Sequence, residues 1–168
     1  MDTRTEADGI RTGPVRWVMR PAEPRDVEPI AELRAMVMRP DLERLGRFDE
    51  HRVRQRLRDA FLPRHTSIIE ADGVFAGSVA LCPSEEDRGH RLEHFYLAPA
   101  VQGRGLGSAV LRAVLARTDE AGEPVRLNVL QGSRARRLYE RHGFEVESQD
   151  PIDVFMLRLP GGDGRFGE

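Results

Sequence analysis

The spacing of apolar residues in the first third of the chain predicts one strand followed by two helices. Residues 15–19 are apolar and rich in β-forming side chains, which is typical of a strand. After Asp26, a typical helix cap, apolar side chains recur at intervals of three and four residues. We expect Pro40 and Gly46 to break this helix, because proline interrupts the hydrogen bonding of a helix interior and glycine favours a helix end. Residues 50–61 repeat the helical spacing and predict a second helix.

The middle of the chain changes to the two-residue period of strands. Strands are predicted over residues 66–70 and 74–81, joined at Asp72-Gly73 by a dipeptide typical of a tight hairpin. Gly77, inside the second of these strands, indicates a bulge or a close backbone contact. A third strand is predicted over residues 92–97, so the three strands follow one another as a meander.

The last third of the chain alternates helices with strands. A glycine-rich turn at residues 102–107 leads into an apolar helical stripe, and residues 125–130 form the next predicted strand. Ser133 is suited to cap another helix, and residues 144–146 and 152–159 predict a closing strand pair. A meander followed by this alternation predicts an α/β (α+β) fold with a mixed central sheet of six to seven strands and about four helices.

Length and composition suggest how the chain is organised. The 168 residues suit one domain, which we expect at residues 15–160, between a flexible leader at residues 1–14 and a flexible tail at residues 161–168. A single cysteine, Cys82, allows no intrachain disulfide and favours a reducing, cytoplasmic location. The net charge of −2 argues against a nucleic-acid partner, and the short apolar runs argue against a membrane partner.

The glycine-rich turn has the chemistry of an anion site. Glycines let the backbone approach a ligand closely, and the helix that follows begins with unpaired N–H groups and a partial positive charge. These features together favour a phosphate or pyrophosphate ligand. The spacing of Gly103, Gly105 and Gly107 matches neither the dinucleotide fingerprint nor a P-loop.

Two longer motifs resemble those of the GNAT superfamily of N-acetyltransferases. Residues 92–107 resemble its acetyl-CoA signature, in which a strand ending in x-x-P is followed by Q/R-x-x-G-x-G/A at a helix start. Residues 129–144 resemble its second motif, a strand followed by N-x-A-x-x-L-Y-E-x-x-G-F. The resemblance implies the GNAT fold, with a splay between the fourth and fifth strands, and acetyl-CoA as the co-substrate.

The resemblance also implies roles for individual residues. The pantetheine arm would lie along the end of the fourth strand at Leu97, Ala98 and Pro99. Tyr139 would act as the general acid that protonates the departing CoA thiolate, because a phenol keeps its proton at neutral pH. The turn that would hold the pyrophosphate comprises Gln102, Gly103, Arg104, Gly105, Leu106, Gly107 and Ser108.

The chain departs from the family pattern at two positions. Ser133 stands where the family usually has the asparagine that contacts pantetheine, and its hydroxyl reaches less far. Asn128 stands where some relatives have an acid that serves as the base. We therefore expect Glu93, in the strand before the signature, to be the general base, with His94 or a chain of water molecules as alternatives. Strand alternation would send Glu93 and His94 to opposite faces of the sheet.

The resemblance implies an N-acetyltransferase that transfers the acetyl group of acetyl-CoA directly to a primary amine. The acceptor would be a small-molecule amine or a peptide, and the family makes a homodimer an expectation as well. The scattered histidines match no metal spacing, so no metal is expected. An acyl-CoA-binding sensor or interaction module with weak or no catalysis is the alternative, which the substitutions at Asn128 and Ser133 motivate.

Overall fold

The computed structural model describes residues 15–86 and 88–161. The predicted leader at residues 1–14 and residues 162–168 of the predicted tail lie outside the described residues. In chain order, the elements of the described part are β1 (Trp17–Pro21), α1 (Val27–Arg44), α2 (Glu50–Ala60), β2 (Thr66–Ala71), β3 (Val74–Pro83), β4 (His90–Leu97), α3 (Leu106–Ala121), β5 (Val125–Leu130), α4 (Ala135–Arg141), β6 (Glu145–Gln149) and β7 (Asp153–Arg158).

Helix α1 continues through Pro40 to Arg44, so the expected break at this proline is wrong, whereas the expected break at Gly46 is confirmed. Proline removes only the N–H that would bond the carbonyl of Met36, and Met36 is 59% exposed, on the side of the helix that water can reach. Beyond the proline, the backbone N–H of Leu45 donates to the carbonyl of Asp41 at 3.0 Å. The chain leaves the helix only after this point, where Gly46 adopts a positive φ of 69°.

The hairpin between β2 and β3 has the predicted turn and the predicted close contact. Asp72 and Gly73 both have positive φ, as a two-residue hairpin turn requires. A register shift opposite Ile69 and Glu70 marks a bulge beside Gly77. A side chain at Gly77 would place its Cβ 2.1 Å from the backbone oxygen of Tyr96, so only glycine fits between β3 and β4 there.

The seven strands form one mixed sheet in the order β1-β2-β3-β4-β5-β7-β6, with a helix pair on each face. One apolar cluster joins the buried faces of α3 and α4 to side chains from β2, β3, β4, β5 and β7. A smaller cluster packs α1 and α2 against the other face, over β2, β3 and β4. This arrangement confirms the predicted mixed sheet with four flanking helices. No helix of the described residues is long and apolar enough to span a bilayer.

The sheet opens between β4 and β5, as the resemblance implied. The two strands run parallel and pair only at His90 with Val125 and at Arg91 with Arg126. Every other neighbouring pair of strands is antiparallel and pairs over at least four positions. The strands therefore diverge toward their carboxyl ends and leave a cleft at the end of β4, just before the glycine-rich turn.

Candidate active site

The backbone at the end of β4 is directed into this cleft. The N–H of Ala98 donates to the carbonyl of Ala76 on β3 at 2.7 Å. Because N–H and C=O groups alternate in direction along a strand, those of Leu97 point away from β3 and toward β5. The Leu97 carbonyl accepts a hydrogen bond of 2.8 Å from the side-chain amide of Gln102, which fixes the turn to the strand. The Leu97 N–H is thus a backbone donor directed into the cleft.

The glycine-rich turn brings the amino end of α3 next to this strand end. Gly103 and Gly105 adopt φ values of 72° and 78°, which other residues adopt only with strain. Within α3, the first backbone bond runs from Ala109 to the carbonyl of Gly105, so the N–H groups before Ala109 have no acceptor inside the helix. These N–H groups and the helix dipole suit an anion, and the donor set fits the phosphate groups of a CoA molecule.

Helix α4 meets the same turn from the carboxyl side of β5. A Cβ added at Gly107 would lie 3.5 Å from side-chain carbons of both Leu97 and Leu138, so β4, α3 and α4 come together at this point. The hydroxyl oxygen of Ser133 accepts a hydrogen bond of 3.2 Å from the N–H of Ala135, the first residue of α4, although the residue at the cap position itself is Arg134. Contact between Ser133 and a pantetheine arm stays a prediction.

The predicted general acid, Tyr139, lies in the apolar cluster and is only 6% exposed. Its ring packs against Phe95 of β4 and Phe144, with ring centroids 6.5 and 5.6 Å away. Burial raises the pKa of Tyr139 well above that of an ordinary phenol, and the nearby Tyr96 phenol raises it further. Tyr139 therefore keeps its proton at neutral pH, as an acid must before it can donate.

The expected alternation of Glu93 and His94 does not hold. A register shift between β3 and β4 leaves an extra residue in β4, and His94 adopts a positive φ of 49°. Leu92 and Phe95 both pack into the α3–α4 cluster, although three positions separate them. The bulge adds one residue to β4, so residues three positions apart on either side of it face the same way. Glu93 and Tyr96 therefore both face α1 and α2.

Glu93 lies among polar neighbours on that face. Its carboxylate is 3.4 Å from the guanidinium of Arg91 and accepts a hydrogen bond of 3.9 Å from the Cys82 thiol. Burial and this carboxylate together raise the pKa of Cys82 to about 11, so the thiol stays protonated at neutral pH and is a poor nucleophile. The role of Glu93 as a base stays a prediction.

A polar cluster that the sequence analysis missed links α1 to the bulge. The phenol oxygen of Tyr96 accepts a hydrogen bond of 3.0 Å from Nε of Arg34 and lies 3.1 Å from Nδ1 of His94. Arg34 is 9% exposed and also donates to the carbonyl of Val53 in α2. The Ser78 hydroxyl donates to the His94 carbonyl at 2.8 Å and so holds the bulge to β3. We call Arg34, Tyr96 and His94 the Arg–Tyr–His cluster.

Asn128, which stands where some relatives have an acid, has an acidic neighbour. The side-chain amide of Asn128 on β5 donates to the carboxylate of Asp153 on β7 at 3.1 Å. Their strands pair antiparallel, with Leu130 opposite Asp153. Nothing in the local pattern predicted this contact, because 25 residues separate the two positions along the chain. Asn128 itself cannot take a proton, and the carboxylate that it contacts belongs to β7, on the side of β5 away from β4.

Comparison with known proteins agrees with this geometry. The family model of the acetyltransferase (GNAT) domain matches residues 63–146, which is half of the chain. The match begins just before β2 and includes the bulged strand β4, the glycine-rich turn, α3, β5 and α4. No curated protein matches the chain significantly by sequence.

Solved structures of acetyltransferases share the fold at low sequence identity. The PaiA N-acetyltransferase of Thermoplasma acidophilum, solved with coenzyme A, superposes with a TM-score of 0.69 at 19% identity, covering 86% of this chain and 99% of its own. An N-acetyltransferase of Staphylococcus aureus Mu50 gives 0.64 at 19% identity, covering 83% and 98%. The N-acetylglutamate synthase of Neisseria gonorrhoeae, solved with coenzyme A and L-arginine, gives 0.58 at 18% identity, covering 86% and 33%.

Proposed function

The chain belongs to the GNAT acetyltransferase family, and from this premise we propose that it transfers the acetyl group of acetyl-CoA directly to a primary amine. The observation that carries the proposal is the junction of the β4–β5 cleft with the phosphate-type turn at the start of α3. A site that bound only phosphate would not need a gap between β4 and β5. A cleft beside it gives an extended acyl arm a place to lie between the strands.

The donor would be bound mainly through the backbone. The N–H groups from Gly103 to Ser108 would hold the pyrophosphate, and the strand end at Leu97, Ala98 and Pro99 would pair with the pantetheine arm. The cleft-directed N–H of Leu97 would polarise the thioester carbonyl, where negative charge develops as the amine attacks. Binding of this kind depends on dihedral angles more than on side chains, which suits the glycines of the turn.

The acceptor amine would attack the thioester carbonyl, and Tyr139 would protonate the thiolate that leaves. Two neighbouring residues, Glu93 and His94, are candidates for the group that first deprotonates the acceptor ammonium. Direct transfer needs no nucleophile from the enzyme, so the protein contributes proximity, backbone polarisation and proton transfer. The half-buried Cys82 thiol, with its raised pKa, is consistent with this route.

The test measures CoA release from acetyl-CoA over a panel of small primary amines and peptide N-termini, with the wild type and Tyr139→Phe compared. We expect turnover with at least one amine and a fall in kcat of roughly 100-fold in the variant, with acetyl-CoA affinity unchanged by calorimetry. Retained affinity serves as the folding control. Absence of turnover over the whole panel, or a variant as active as the wild type, would contradict the proposal.

An acyl-CoA-binding sensor or interaction module is the second candidate, favoured by Ser133 and Asn128 at positions where active relatives have other residues. It predicts tight acetyl-CoA binding by calorimetry and no CoA release with any amine. The two candidates thus give opposite results in one pair of assays.

The remaining expectations about partners are part of the same proposal. We propose a small-molecule amine or a peptide as the acceptor, no metal, and a cytoplasmic location without nucleic-acid or membrane partners. A homodimer is also proposed, and sedimentation at micromolar concentration tests it. A mobility shift with duplex DNA at low salt would contradict the expected absence of a nucleic-acid partner.

A further inference from the structure

The Arg–Tyr–His cluster has a geometry that the proposed reaction can use. His94 lies at the bulge of β4, the strand that forms one wall of the cleft, and Tyr96 engages its Nδ1 at 3.1 Å. With Nδ1 engaged, Nε2 is the nitrogen through which the half-buried ring can meet another group. We propose that Nε2 of His94 accepts the proton of the acceptor ammonium, and that Tyr96 and Arg34 are positioning residues that hold the ring for this step. The inference rests on the proposed acetyl transfer.

The hydrogen-bonding capacity of Tyr96 allows the required tautomer. Arg34 can only donate, so its Nε–H occupies one lone pair of the phenol oxygen. The scheme uses the tautomer in which the second lone pair accepts Nδ1–H of His94, because only then is the Nε2 lone pair open to the ammonium proton. Arg34 is itself held by the carbonyl of Val53, so the position of the imidazole is tied through Tyr96 to both α1 and α2.

Burial and two charged groups act on the pKa of His94. Burial holds the pKa of His94 below its usual value, the Glu93 carboxylate beside it raises that pKa, and the Arg34 guanidinium lowers it. Ser78, the β3 residue that binds the bulge, is uncharged. His94 is therefore neutral at pH 7 and able to accept a proton. Glu93 acts in this scheme on the basicity of His94 and takes no proton itself.

The cluster and the predicted acid act on the same cleft from opposite faces of the sheet. Tyr96 packs with the α1–α2 cluster, whereas Tyr139 belongs to the α3–α4 cluster. The phenol of Tyr96 nevertheless contributes to the raised pKa of Tyr139, so the two side chains are within electrostatic range across β4. A base from one face and an acid from the other would then flank a thioester lying between the strands.

The protons of the reaction balance in this scheme. An N–H bond of the ammonium breaks and its proton binds Nε2 of His94, so the amine nitrogen gains a lone pair. That pair forms the C–N bond to the thioester carbonyl, the C–S bond breaks, and the thiolate takes the phenol proton of Tyr139. The phenolate of Tyr139 recovers a proton from the new amide nitrogen. His94 releases its proton to water, which is the one net proton of the reaction.

The experiment compares two variants that change the charge near His94 without changing His94 itself. Glu93→Gln removes the charge that raises the pKa of His94, so the acidic limb of kcat/KM against pH moves to lower pH. Arg34→Met removes the charge that lowers this pKa, so the limb moves to higher pH. The same two shifts are expected in an NMR titration of the His94 imidazole in the enzyme without substrates, with His94→Gln used to assign the signal.

The activity of His94→Gln provides the second measurement. We expect kcat to fall roughly 100-fold with the KM for acetyl-CoA unchanged, whereas His51→Gln, at an exposed position of α2, keeps wild-type kinetics. His94→Gln within twofold of the wild type, or Glu93→Gln lowering the whole pH profile as loss of the base would, overturns the inference in favour of Glu93. If Arg34→Met fails to fold, the direction of the Glu93→Gln shift decides.

Failure of the proposed function gives a different pattern. The NMR titrations need no turnover, so they test the coupling of Glu93 and Arg34 to His94 even if no amine is acetylated. CoA release by the wild type with an unaffected His94→Gln refutes the inference alone. No CoA release from any amine refutes the acetyl transfer and this inference with it.

Discussion

Replacing Gly77 with alanine tests how closely β3 and β4 are held together. The new Cβ would lie 2.1 Å from the backbone oxygen of Tyr96, whereas carbon–oxygen contacts between strands ordinarily begin at about 3.3 Å. The two strands must therefore separate by about 1 Å at this point. Such a shift would stretch the bond from Ala98 to Ala76 and the pairing of Ser78 with Tyr96 beyond normal hydrogen-bond length.

We expect Gly77→Ala to lower the free energy of unfolding by about 3 kcal/mol, since two strand hydrogen bonds weaken and the core is overpacked. For a chain of this length, that corresponds to a fall in Tm of roughly 6 to 12 °C in a calorimetric scan. Activity should fall as well, because Ser78 holds the His94 bulge. Gly107→Ala is the matched control, since its Cβ would meet Leu97 and Leu138 at an ordinary 3.5 Å. A Tm for Gly77→Ala within 2 °C of the wild type would refute the close-contact reasoning.

Two further substitutions test the turn and the core. Gly105→Ala should weaken acetyl-CoA binding about tenfold in calorimetry. The Cβ of alanine would touch nothing there, but a φ of 78° strains alanine by about 1–2 kcal/mol. Gly122→Ala, equally strained at the other end of α3, should destabilise the fold similarly and leave affinity unchanged; equal affinity losses would contradict this. Asp119→Ala should destabilise the protein by about 3 kcal/mol in denaturant melts at pH 7, because it leaves the buried Arg158 guanidinium without its carboxylate. Arg158 holds the pKa of Asp119 below its usual value, so this stabilisation is present above pH 4 or so and is lost as the pH falls through the lowered pKa. Glu120→Ala, exposed one residue away, is the control, and a gap between Asp119→Ala and wild type that does not narrow as the pH falls below about 4 would contradict the assignment.

Local sequence rules predicted most elements of the fold, and they failed where tertiary contacts outweighed them. The hairpin at Asp72-Gly73 and the contact at Gly77 follow from backbone geometry alone, so the sequence was sufficient to predict them. Pro40 was misjudged because a single missing N–H is a small loss near the end of a helix whose last turn has other support. Arg39 donates a hydrogen bond to Glu43 there, and Arg44 at the helix end donates to the carbonyl of Gln131, just after β5.

The candidate site was predictable where it depends on motifs and not where it depends on a bulge. The turn and Tyr139 come from contiguous signatures in the chain. The bulge at His94 was not predictable, because a positive φ at a histidine has no sequence signal comparable to glycine. Arg34 did leave a signal, since it lies three and four residues after the buried Ala31 and Ile30, so a charged residue stands on an apolar stripe. Such a position predicts a buried polar partner, which here is Tyr96.

The two sides of the cleft are held in different ways, and this difference indicates where an acceptor would enter. On the α3–α4 face, Leu92 of β4 and Val125 of β5 belong to one apolar cluster, so packing joins the strands where backbone pairing ends. On the α1 face, a polar contact among the described residues joins α1 to the turn after β5. Arg44 donates to the exposed carbonyl of Gln131, and its guanidinium occupies the space that a Cβ at Gly132 would need. An exposed polar contact contributes little to stability, whereas opening the apolar cluster would expose much of the core. Separation of the walls would therefore cost less on the α1 face, and in the proposed reaction an acceptor entering there would meet the half-buried His94 before a thioester bound along Leu97.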